Sequence, residues 1–109
     1  RENSTQQGVR YDQSQIADTA YELVNNSGQV DSYIHERFLH VTCQASSYAR
    51  PVGLRVYDNN GELLYIARDP ACDEKTPVEI DMRYAEEGDY QLLVYFENGS
   101  VIEDWIAYR

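Results

Sequence analysis

Lysine is almost missing from this chain. Lys75 is the only one, and nine basic residues face nineteen acidic ones, for a formal net charge of −10. Such a surface repels phosphate backbones and anionic headgroups, and no Lys/Arg cluster offsets the repulsion. Nucleic acid and anionic membrane surfaces are therefore not expected partners. No apolar run approaches the ~20 residues of a membrane-spanning helix. The opening RENSTQQGVR lacks the apolar centre of a signal peptide and starts with Arg, as a mature or trimmed form would. Cysteine is sparse as well. Cys43 and Cys72, without flanking histidine, make a poor zinc site. An even pair in a small β domain fits one disulfide in an exported protein instead. Closing a loop of that length contributes about 3–4 kcal/mol in the chain-entropy picture.

Tyrosine is abundant: ten, against two Phe and one Trp. Tyrosine suits half-buried strand positions, with the ring packed and the hydroxyl in water or hydrogen-bonded, and it also suits binding surfaces. With 109 residues, 42% apolar and 26% charged, the chain has the length and composition of one globular domain. Residues 1–15 read as a polar arm or linker, and residues 16–109 as a single domain. The stretch IADTAYELV (16–24) fits helix and strand about equally, and NNSG (25–28) breaks it.

From RFLHVTCQA (37–45) onward a two-residue period sets in. Leu39, Val41, Cys43 and Ala45 share one face; His40, Thr42 and Gln44 share the other. GLRVYDNNGELLYIAR (53–68) reads as a hairpin turning at Asn60-Gly61, with Val56 opposite Tyr65 and Leu54 opposite Ala67. DPACDEKTP (69–77) is a loop. VEIDMRY (78–84) alternates again, with Val78, Ile80 and Met82 inward. A last hairpin turning at Asn98-Gly99 pairs Phe96 with Val101, Leu92 with Trp105 and Tyr90 with Ala107. It also sets Val94 against Glu103, a poor core pair that calls for a rim position or a bulge. The sum is an all-β, antiparallel sandwich of six to seven strands.

VYDNNGELLYIA and VEIDMRYAEEGDYQLLVYFENGS resemble a pattern in small exported immunoglobulin-like sandwich domains of Bacteroidetes-type bacteria. An aliphatic-Tyr-Asp strand turns at Asn-Gly, and a later Gly-x-Tyr corner leads to a second Asn-Gly turn. Uncharacterised secreted domains and, more distantly, C-terminal sorting modules of exported cargo share it. The resemblance covers residues 52–100 and implies a secreted, periplasmic or cell-surface sandwich without known chemistry. The chain ends VIEDWIAYR, where sorting modules end in a basic, Lys-rich strand. Tyr90 stands at the corner position, but Leu92 follows where an antibody-type domain has cysteine.

Catalytic groups are scattered. His35 and His40 fall on opposite faces if they share one extended strand. No serine sits in a nucleophile-elbow setting, Cys72 lies among acids that raise a thiol pKa, and the carboxylates occupy expected turns. No enzyme, metal or cofactor is expected. Tyr57, Tyr95 and Tyr108 lie opposite the inward positions and, with Leu64, Ile66, Leu93, Ile102 and Ile106, make one sheet apolar on both faces. Such a sheet is covered twice or presents an aromatic patch to a partner. The expected function is non-catalytic binding of protein or glycan through that face or through an open edge strand. The alternative is a structural or sorting appendage of a larger envelope assembly.

Overall fold

The computed structural model describes residues 21–44, 50–73 and 75–109. The expected arm at 1–15, residues 16–20 and Ala45 lie outside the described residues. Eight strands run in order: β1 Glu22–Val24, β2 Val30–His35, β3 Phe38–Cys43, β4 Pro51–Tyr57, β5 Leu63–Arg68, β6 Val78–Asp81, β7 Gly88–Phe96 and β8 Ser100–Tyr108. They form a five-stranded sheet, β1-β8-β7-β4-β5, and a three-stranded sheet, β2-β3-β6. All pairings are antiparallel except β1 with β8. The strand missing from the sequence reading is β2. Only Val30 and Ile34 are aliphatic there, so its alternation is faint.

The sheets close on a core of Leu39, Val41, Cys43 and Ile80 from the smaller sheet. Leu54, Val56, Leu92, Val94, Phe96 and Ile102 face them from the larger. Most of these side chains are completely buried, each worth about 1.5–3 kcal/mol of transfer free energy. The expected inward set of Val78, Ile80 and Met82 holds, with Met82 fully buried just after β6.

Turn chemistry sets the registers. Between β4 and β5, Gly61 N donates to Asp58 O (3.0 Å), and the Asp58 carboxylate accepts from the amides of Asn60 and Glu62 (2.9 Å each). Asp58 thus organises this hairpin without a metal, and the expected pairs Leu54–Ala67 and Val56–Tyr65 form. The last hairpin differs from expectation by one residue. Gly99, at φ 91°, follows a tight turn in which its N–H donates to Phe96 O. The loop is therefore three residues with a left-handed glycine, and not a two-residue Asn-Gly turn. Val94 now pairs with Ile102 in the core, and Glu103 moves opposite Leu93 on the outward face. The same shift turns Ile102, Ile106 and Tyr108 inward. Tyr90 takes the corner role: its hydroxyl donates to Glu86 O.

The β2–β3 turn is made by Glu36 and Arg37 at φ 53° and 69°, in the left-handed region where neither residue is at ease. Arg37 is held by its contacts: its carbonyl accepts from Met82 N, and its Nε donates to the Tyr108 hydroxyl. Glu36 has only an exposed 3.8 Å approach to His35, worth little. Glu36→Asn, which tolerates the left-handed region, is expected to raise unfolding free energy by about 1 kcal/mol in urea titrations.

Candidate interaction surfaces

Tyr57, Tyr95 and Tyr108 are all buried, at 6%, 3% and 1% exposure. Tyr57 and Tyr95 do point outward from the five-stranded sheet, where they cluster with Leu93 and Val101. Tyr21 and Val52 pack against that cluster, Tyr21 meeting Tyr95 edge-on at 4.9 Å. The Arg55 guanidinium lies 5.4 Å from the Tyr95 ring centre and donates to the Tyr57 hydroxyl (3.4 Å). Gln91 donates to Glu103 (2.7 Å). The sheet is apolar on both faces, as the sequence pattern implies, but its outward tyrosines are packed away from solvent. Tyr108 lies in the inter-sheet core, a correction that follows from the one-residue register. Its hydroxyl donates to Met82 O (2.8 Å) and accepts from Arg37 (2.7 Å).

The exposed aromatic residues are elsewhere. On the outward face of the smaller sheet, Tyr33, His40 and Glu79 form one row across β2, β3 and β6. The Tyr33 and His40 rings stack at 4.7 Å and 5°, and His40 Nδ1 lies 3.7 Å from Glu79. His35, Phe38 and Asp81 form the next row. Arg83 caps it, 5.1 Å over the Phe38 ring and bonded to Asp81, whose carboxyl it holds down at about 2. The two histidines thus share a face, because the chain reverses at Glu36-Arg37 between them; the expectation of opposite faces assumed one strand. The equal spacing of Tyr33 and His35 before the turn and Phe38 and His40 after it was the available signal. Among the described residues, no three His, Cys, Asp or Glu side chains gather as metal ligands.

Cys43 and Cys72 meet in the core, 2.5 Å apart and both buried as free thiols. The loop after β5 carries Cys72 under β3, where its sulfur is 3.4 Å from Val41 O. As thiols they titrate against each other. The hydrogen bond to Cys43, burial and the Asp73 charge push Cys72 far above its ordinary value, while the same bond draws Cys43 down. His40 and Cys43 lie on opposite faces of β3, so no base reaches either sulfur from that side.

The largest uncharged stretch at a sheet margin is β5. It pairs with β4 on one side and ends the five-stranded sheet on the other. Leu63, Leu64 and Ile66 are 44%, 41% and 36% exposed. Leu64 and Ile66 face outward, while Tyr65 and Ala67 pack against the core. An acid-lined depression of about 300 Å³ adjoins the strand at Asp58, Glu62, Leu64, Glu86 and Glu87. The only other hollow of note among the described residues, at Val52, Arg55 and Tyr95, holds about 60 Å³, below the few hundred Å³ of a small-molecule site.

No family model matches the chain, and no curated protein does. The fold class is that of an immunoglobulin-like β-sandwich. Among solved structures, the chain is similar to a DUF3244 family protein with an immunoglobulin-like β-sandwich fold from Bacteroides vulgatus. That likeness spans 84% of this chain and 92% of the other, at 13% identity and a TM-score of 0.58.

Tyr108→Phe removes the donor to Met82 O and leaves Arg37 Nε without its acceptor. It is expected to lower unfolding free energy by about 1–3 kcal/mol, measured by chemical denaturation; an unchanged midpoint would return Tyr108 to the surface.

Proposed function

We propose that this domain is a non-catalytic, exported interaction module that binds a protein partner by adding a strand to β5. One observation carries the reading. β5 is six residues long, sits at a sheet margin, and reads Leu-Leu-Tyr-Ile-Ala without a charge until Arg68. Natural sheets blunt such edges with lysine, proline, bulges or brevity, and a strand that keeps its edge open and apolar is a template for another chain. The sandwich supports the partner's strand rigidly, and the outward Leu64 and Ile66 offer it apolar contacts. A glycan platform built on Tyr57, Tyr95 and Tyr108 loses support because those rings are buried. The acidic surface disfavours nucleic acid as the partner.

The test is a photoreactive residue placed at Leu64 in producing cells. Protein adducts are expected at Leu64 and absent when the probe replaces exposed Glu97. A structural or sorting appendage that leaves β5 unused gives none at either position, and that result overturns the reading.

Export is supported by the meeting of Cys43 and Cys72, which are suited to a disulfide joining β3 to the loop after β5. Intact natively produced protein, alkylated before and after reduction, is expected to take up label only after reduction. Labelling of two thiols under denaturing conditions without reduction would remove both the bond and the argument for an oxidising compartment.

A further inference from the structure

We propose that the strand added to β5 is β5 of a second copy of this chain, joined antiparallel about a two-fold axis at Tyr65; this rests on β5 being the contact surface. The other margins are poorer seams. β1 has three residues, β6 has four and follows Pro77, and β2 carries Asp31 and His35 outward. Antiparallel self-pairing centred on Tyr65 sets residue 62 opposite 68, 63 opposite 67 and 64 opposite 66. Glu62 of each copy then stands opposite Arg68 of the other, and Leu64 opposite Ile66. The outward row across the seam reads acid–base, leucine–isoleucine, isoleucine–leucine, base–acid. A strand whose charges are placed symmetrically with opposite sign about its centre is complementary to itself, which is what an isologous contact requires. Directly opposed unlike charges and paired aliphatic side chains are the units that stabilise such a ladder.

The symmetry also answers the objection from net charge. At −10 per chain, two copies repel at a distance, and the repulsion is screened beyond about 8–10 Å in physiological salt. At the seam each copy contributes one Glu and one Arg, so the local charge sums to zero. Pairing joins the two five-stranded sheets into one and covers Leu64 and Ile66 of both copies.

Sedimentation equilibrium over a range of concentrations is the test. A species of twice the chain's 12.6 kDa is expected. Ile66→Lys abolishes it, and Glu62→Arg or Arg68→Glu each weaken it about tenfold, since each replaces two attractive pairs with two like-charge pairs. The combined Glu62→Arg/Arg68→Glu chain regains most of the affinity, which a merely misfolded variant would not do. A chain that stays monomeric into the millimolar range, or a dimer indifferent to these changes, overturns the proposal. Adducts from Leu64 to another protein, with a monomeric chain, would leave the interaction module standing and remove only the self-pairing. Monomer without adducts removes both.

Discussion

Everything in this domain is arranged around β7, whose residues from Tyr90 to Phe96 are all buried. Tyr90, Leu92, Val94 and Phe96 face the smaller sheet, while Leu93 and Tyr95 face the other way. A strand apolar on both sides belongs in the middle of a sheet, and β7 lies between β4 and β8. The smaller sheet needs only one apolar face to cover it. Its outward face is therefore released for Tyr33, His40, Phe38 and Arg83. At the far margin the apolar pattern runs into β5 without a stop, and the molecule's main exposed hydrophobic seam results.

Several of the tyrosines are fasteners more than ligands. The hydroxyl of Tyr108 reaches Met82 O beyond the end of β6, that of Tyr90 closes the corner on Glu86 O, and that of Tyr57 accepts from buried Arg55. In each case the ring fills a packed layer and the oxygen satisfies a polar group that would otherwise be stranded. Phenylalanine would supply the first property only, which accounts physically for the ratio of ten Tyr to two Phe.

Alternation and turn residues made most of the sandwich legible. Leu39, Val41 and Cys43 declared their face, and the Asn60-Gly61 hairpin declared its register. The last hairpin was misjudged by one residue because Asn-Gly serves both two-residue turns and three-residue loops with a left-handed glycine. The poor Val94–Glu103 pair was the visible symptom. β2 escaped notice because a strand with one solvent face and few aliphatics carries little periodic signal, and with it went the shared face of His35 and His40. Burial of Tyr57 and Tyr95 was not readable at all: alternation says which way a side chain points, not whether something lies on top of it. The uncharged run of β5 was plain in the sequence, but its place at a sheet margin is a property of topology.

The parallel pair β1–β8 has a mechanical meaning. Glu22, Leu23 and Val24 lie alongside Ser100, Val101 and Ile102, and Glu22 N also donates to Gly99 O. Because the two strands run the same way, tension applied between Tyr21 and Arg109 pulls them along their length in opposite senses. The load falls on their cross-links together, in shear, and not one after another as in a zipper. The hairpins behind them are shielded until that short clasp slips. A domain strung between two anchors would thus yield first at β1, while β7 and the core around it stayed closed.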